Sequence, residues 1–485
     1  MKKVLATTAI LFILSITTLI TFSAVVNSNK DTVTITEKIY VGEKEIAEGI
    51  SILSSTHYGN QLFWNTKYTV GENTQPETEY SFFNSAQTIE NNTTYYYFEM
   101  NTDIRYGCDF NTPAEEQVGL SRIYKELYDK CKVGERIEET VYLKDVYEYY
   151  PIRLDINIPN IYWTGNDYEN IYHDEYGQEK YVLDKFREFF RIPVFEEHKI
   201  NIGIGRDANG ISIHSGTAEG SEEYDFFFYS VSAHTDDTVF FTIRNKTSYG
   251  KYADFSLVPG GYGIYSFKYE YKDILHYTGI QVETLQNVYL LDVDFQVNHM
   301  EISDNGKYLI VIGIKNNDTI LKVIEIKTMS LVREIVIEDR IAYNFKLLRN
   351  TASGDYYHVL ENIKSENDFM IILFSEEFAL IKPTNDGNYT LEFIAPQMNY
   401  IDEKYNFMDY SSKMVFDGNR FIIVDSIYDD ELQTELCGFY IAIYDETGLI
   451  YYAEYESSLD INSKPNNYSY NCNPTNTGYK IEINE

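Results

Sequence analysis

The side chains that could do chemistry are scattered along this chain. None of the common nucleophile, zinc or phosphate motifs occurs: there is no Gly-x-Ser-x-Gly, His-Glu-x-x-His, Gly-x-x-x-x-Gly-Lys or Ser-x-x-Lys. Pro259-Gly260-Gly261-Tyr262-Gly263 is glycine-rich but leads into a strand, so it offers no helix N-terminus to a phosphate and reads as a turn. Carboxylates cluster at Asp174-Glu175, Glu222-Glu223, Asp236-Asp237 and Asp429-Asp430-Glu431. Such groups could bind Ca²⁺ or supply the acid and base of glycoside hydrolysis. No cluster has calcium-loop spacing, so no cofactor is assigned and Ca²⁺ is an option that no motif supports. The eight histidines show no pair at metal-ligand spacing.

One loop combines aromatic faces with carboxylates and amides, the chemistry that stacks on and hydrogen-bonds sugars and that also suits protein partners. It runs from Tyr162 to Tyr176, and Trp163, Asn166, Asp167, Tyr168, His173 and Asp174 are its candidate ligand-binding residues. Four cysteines complete the reactive inventory. Cys108 and Cys131 lie close in sequence, as do Cys437 and Cys472, and in an exported chain these suggest two local disulfides.

The elements that must position these residues are mostly strands. The alternation of Ile152, Leu154, Ile156 and Ile158 with polar residues predicts a half-buried strand. Thr112-Pro113-Ala-Glu-Glu116 reads as a capping box opening a helix, with Leu120, Ile123, Tyr124, Leu127 and Cys131 on one face until Gly134. A second helix is expected over 179–190, ended by Pro193.

An internal repeat organises roughly the last 190 residues of the chain. Met300 to Val311 and Met414 to Val424 share a strand, an Asp/Asn-Gly turn, a basic residue, an aromatic and an aliphatic strand; each continues through a polar tip into two more strands. A weaker copy runs from Ser353 to Phe374, and the turns at Asp207-Gly210 and Asp236-Asp237 read as parts of another four-stranded unit. Ser303-Asp-Asn-Gly306-Lys-Tyr-Leu309 resembles the Ser-Pro-Asp-Gly-Lys-Tyr-Leu turn of WD-repeat-like bacterial β-propellers, though the Gly-His and Trp-Asp marks are missing. The resemblance implies an all-β fold, a β-propeller of roughly seven four-stranded blades with a helical insertion near 113–132. Tandem β-sandwich domains are the alternative.

The charge balance of 40 Lys+Arg against 75 Asp+Glu, net −35, excludes nucleic acid as a partner. After Lys2-Lys3, the uncharged run from Val4 to Val26 reads as a signal anchor over 1–28, crossing the membrane at about 4–26. Residues 29–485 would then form an extracytoplasmic domain of a single-pass cell-membrane protein, or a secreted one after signal cleavage. The expectation is a membrane-tethered binding or scaffold protein for a protein or glycan at the cell envelope. The alternative is an exported glycan hydrolase whose paired carboxylates are brought together by folding.

Overall fold

The computed structural model describes residues 2–29, 33–58, 62–71, 76–81, 97–104, 107–158, 161–164, 177–206, 212–217, 230–246, 250–270, 279–303, 305–341, 370–374, 376–384, 389–397, 413–429, 434–458 and 475–483. In chain order the elements are α1 (Lys2–Asn29), β1 (Ile35–Val41), β2 (Ile50–Tyr58), β3 (Leu62–Thr69), β4 (Glu77–Ser81) and β5 (Tyr97–Thr102). Next come α2 (Gly119–Lys130), β6 (Arg136–Tyr142), β7 (Ile152–Ile158), β8 (Ile161–Thr164), α3 (Gly177–Phe189), β9 (Lys199–Arg206) and β10 (Ser212–Thr217). The meanders β11 (Ser230–His234), β12 (Thr238–Ile243), β13 (Gly263–Tyr269), β14 (Ile280–Leu290) and β15 (Gln296–Ile302), β16 (Tyr308–Lys315), β17 (Asp318–Glu325), β18 (Ser330–Ile337) follow. The last strands are β19 (Met370–Leu373), β20 (Glu377–Pro383), β21 (Tyr389–Pro396), β22 (Lys413–Phe416), β23 (Phe421–Asp429), β24 (Thr434–Asp445), β25 (Gly448–Ser457) and β26 (Thr475–Ile483).

The chain is mostly β, in several small antiparallel sheets, and the described residues define no closed propeller. It divides into two compact units, Met1–Thr93 with Tyr343–Glu485, and Thr94–Ala342.

In the second unit the sheets are β5-β7-β8, β10-β9-β6, β11 to β14 and β15 to β18. The sequence alternation predicted for β7 appears as strict burial of Ile152, Leu154, Ile156 and Ile158. β5 and β11 lie side by side, tied by Met100 N–H donating to Ser230 Oγ at 2.7 Å and Phe98 N–H to Ser232 Oγ at 3.0 Å. Phe98 meets Phe241 at 4.6 Å and Phe267 at 5.0 Å between ring centroids, and Phe186 of α3 at 5.6 Å. This aromatic cluster is the centre of the unit's core.

The repeat turn behaves as its residues require. Gly306 takes φ +69°, and Ser303 Oγ accepts the Tyr308 N–H at 3.0 Å. At the next tip Asn316 and Asn317 both have positive φ (53° and 71°), the two-residue turn that matches the strand twist and that asparagine tolerates.

The helix at 113–132 differs from expectation at its start. Thr112 donates its hydroxyl to Asp109 at 2.5 Å and so caps nothing; a short 3-10 turn at Ala114–Glu116 precedes α2. The cap comes instead from a distant residue, Tyr147, whose hydroxyl accepts the Leu120 N–H at 3.1 Å. Gly119 is required there, with φ +58° and a Cβ position 1.9 Å from the Tyr147 oxygen.

In the first unit the sheets are β26-β2-β3-β4, β19-β20-β21 and β1-β25-β24-β23-β22. The C-terminal strand thus completes a sheet begun near the N-terminus, and β1 extends the sheet formed by the last meander. The five-stranded sheet is buried on both faces. Tyr440, Ala442, Tyr444, Phe421 and Ile423 pack with Phe378, Leu380 and Phe393 of β20 and β21. From the other face Phe439, Ile441, Ile443, Tyr451 and Tyr455 pack with Ile50, Ile52 and Tyr68 of β2 and β3. Three stacked layers differ from the two-sheet sandwich considered above.

The single-pass anchor and the cell-membrane placement are corrected. Among the described residues no helix is long and apolar enough to cross a membrane. The apolar run of α1 is diluted by Thr7, Thr8, Ser15, Thr17, Thr18 and Thr21.

Candidate functional site

The five-stranded sheet carries a row of ionisable and aromatic side chains on each face. On the β2–β3 side, β1 places Glu37 opposite Tyr455 of β25. Tyr455 donates to Glu37 Oε1 at 2.8 Å and Tyr451 reaches the same oxygen at 3.3 Å, the two hydroxyls lying 2.6 Å apart. Lys44 closes the other oxygen at 2.6 Å. Tyr451 and Tyr455 are two positions of one face separated by Ala453, and the small residue between them makes room for both rings. Burial pushes both phenols above their usual range, and the shared hydroxyl contact and Glu37 act on them as well. The Glu37 hydrogen bond raises the Lys44 ammonium, while burial and then Glu37 raise Tyr68. The result is a carboxylate accepting three donors and phenols fixed in their neutral form.

On the opposite face the register aligns Asp425, Tyr440, Glu454 and Lys38 across four strands. Strands lie about 4.8 Å apart, so the two carboxylate-bearing positions are separated by roughly 10 Å with a tyrosine between them. Asp425 is 2% exposed and Glu454 6%. Tyr40 donates to Glu454 Oε2 at 2.6 Å and Tyr452 to Oε1 at 3.4 Å; the two rings stack at 5.1 Å. Lys38 sits 4.4 Å over the Tyr40 ring. At the head of β22, burial lowers the Lys413 ammonium, with Asp425 opposing. Further along β24, the Tyr444 hydroxyl is buried with no hydrogen-bond partner among the described residues, and burial pushes it up.

In the second unit His198 is fully buried, its Nδ1 3.1 Å from the Tyr150 hydroxyl, and burial lowers its pKa to about 4.

The residues singled out from the sequence fare unevenly. Trp163 lies on β8 with its backbone opposite Ile156, and Asn166, Asp167, Tyr168, His173 and Asp174 lie outside the described residues. The expected Cys108–Cys131 disulfide is corrected: both are free thiols. The Cys131 thiol points at the carbonyls of Glu135 (3.3 Å) and Ile204 (3.6 Å), which holds it against β9. Burial raises the Cys108 thiol to about 11, so it is a protonated, unreactive group at neutral pH. Cys437 lies on β24 by its backbone, and Cys472 falls outside the described residues. At the Asp236-Asp237 tip, Asp237 accepts the hydroxyls of Thr235 (3.1 Å) and Thr238 (2.8 Å), a turn rather than a ligand set. Among the described residues no group of three or more His, Cys, Asp or Glu could hold a metal ion.

Sequence reasoning missed the tyrosine–carboxylate rows. The visible signal was the pattern Tyr451-Tyr-Ala-Glu-Tyr455 beside Glu37-Lys-Ile-Tyr40, but their pairing joins opposite ends of the chain.

No protein-family profile matches the chain, and no curated protein matches it. Among solved structures, a protein from Lactobacillus plantarum aligns at 10% identity over 58% of this chain and 68% of its own, with a TM-score of 0.25. The β-propeller domain of Cps50 (Swd1) from Myceliophteria thermophila aligns at 10% identity over 52% and 69%, TM-score 0.20. A proposed 6-phosphogluconolactonase from Bacteroides fragilis NCTC 9343 aligns at 7% identity over 89% and 98%, TM-score 0.28. Superpositions at these scores carry no argument about activity.

Proposed function

We propose that this chain is a binding protein of propeller type, its sheets serving as blades and its partner a protein or a glycan. Support for the propeller reading is topological: up-and-down four-stranded meanders at β11 to β14 and β15 to β18, a sheet covered on both faces by its neighbours, and a C-terminal strand completing an N-terminal sheet.

The burial of the carboxylate row carries binding over hydrolysis. Asp425 and Glu454 have roughly the spacing of an acid–base pair. They are buried among the described residues, and Glu454 is further held by two tyrosine hydroxyls, so neither is presented to a sugar ring. Satisfied buried carboxylates of this kind fix strand register.

The test is to incubate the full chain with a panel of polysaccharides, measuring binding by calorimetry and new reducing ends by colorimetry. Binding without release is the expected result. Release that disappears in Asp425→Asn or Glu454→Gln would establish the hydrolytic reading and overturn this one.

A further inference from the structure

β22 to β25 form a complete antiparallel meander, of the same kind as β11 to β14 and β15 to β18. β1 is an additional fifth strand, brought from the other end of the sequence to the free edge of β25. Within β1 only Ile35 is buried; Ile39 and Tyr40 remain 39% and 41% exposed. Its grip is therefore mostly backbone pairing plus specific polar contacts. Glu37 fits under the hydroxyls of Tyr451 and Tyr455, Lys38 stands opposite Glu454, and Tyr40 donates to Glu454. At its start Thr34 and Ser458 exchange two hydrogen bonds of 2.9 Å. The preceding helix exposes Ile10, Leu11, Phe12, Ile13 and Leu14, so β1 is where this N-terminal segment is attached. After β1 the chain turns at Gly42, with φ +77° and a Cβ position 2.1 Å from the Ile450 carbonyl oxygen.

We propose that the outer edge of β25 is a docking site for an extended strand, filled within one chain by β1 and open to the β1 of a second copy. The edge asks for a carboxylate, a cation at the next position and a hydroxyl two further on, and Glu37-Lys38-Ile39-Tyr40 supplies them. A second copy carries the same segment and makes the same contacts in trans, as in domain swapping and strand addition. The tether favours the strand of the same chain, through an effective concentration of the order of millimolar for short linkers. The exchanged dimer is therefore a minority that a covalent trap accumulates.

The trap uses the register pair Thr36 and Glu456, both exposed. Full-length Thr36→Cys and isotopically labelled Glu456→Cys are mixed under mild oxidation, and the disulfide-linked peptides are mapped by mass spectrometry. The double variant Thr36→Cys/Glu456→Cys serves as the geometric control. A 36–456 link joining labelled to unlabelled chains is expected, slower than the link within the double variant. A link in the double variant with none between mixed chains would overturn the proposal, because β1 would then be confined to its own chain. No link in either would overturn it as well, because β1 would not occupy this edge.

Discussion

Acid should destabilise the second unit through one buried histidine, and the size of the effect follows from its burial. His198 is 0% exposed and its pKa falls from 6.5 to about 4 because burial disfavours the imidazolium. The unfolded chain binds a proton below pH 6.5 that the folded chain refuses until about pH 4. Stability from this group is therefore complete above pH 6.5 and is lost as pH falls through that window. At 1.36 kcal/mol per unit the loss is roughly 2 kcal/mol at pH 5 and approaches roughly 3 kcal/mol below pH 4. His234, lowered by burial in the same direction, adds to the slope. The assay is urea unfolding at pH 7.5, 6, 5 and 4, comparing the native chain with His198→Gln. The variant should start less stable, because the Tyr150 contact is altered, yet lose roughly 2 kcal/mol less between pH 7.5 and 5. Parallel pH profiles for the two proteins would refute the reasoning, since they would mean that His198 titrates normally in the fold.

Other substitutions test other joints of the structure. Tyr147→Phe removes the distant cap of α2 and should cost about 1 kcal/mol, read as a lower unfolding midpoint. Gly119→Ala should cost more than the roughly 1–2 kcal/mol of a left-handed alanine, because its Cβ would also displace the Tyr147 hydroxyl. Phe98→Ala empties the meeting point of three rings and should cost about 3–5 kcal/mol by urea titration. Glu37→Leu takes the shared acceptor from Lys44 and from the tyrosine pair, leaving the two hydroxyls only each other; hydrogen exchange in β1 should rise while that in β23 and β24 stays slow.

Much of the fold was legible because short-range rules decide it. The period-two run at Ile152 to Ile158 can bury only one set of side chains, and it does. Gly306 and the Asn316-Asn317 pair sit where positive φ is required, so the repeat announced its own turns. The misreadings have equally local causes. Thr112 looked like a cap, but Asp109, three residues earlier, competes for its hydroxyl, and the true cap is a tyrosine 27 residues from the amide it serves. Cys108 and Cys131 looked like a pair by spacing; spacing says nothing about the carbonyls that Cys131 meets on β9.

The tyrosine–carboxylate rows were hidden for a different reason. Glu37 and Tyr455 are separated by 418 positions, and a bond across that distance is fixed by which sheet edge is left over once every local meander has formed. Composition also misled. With 75 acids in the chain, each carboxylate looks like part of a solvated surface, yet Asp425 and Glu454 are interior. An ionised group in such a place is tolerated only with its lone pairs occupied, and hydroxyl donors at the right height on a neighbouring strand can do that without adding a second charge. Tyr40 and Tyr452 reach Glu454 in this way, and Tyr451 and Tyr455 reach Glu37. Part of the abundance of tyrosine in this acidic chain thus has a structural use: tyrosine hydroxyls join Lys44 in satisfying Glu37 and supply the hydrogen bonds that hold Glu454 within the sheet layers.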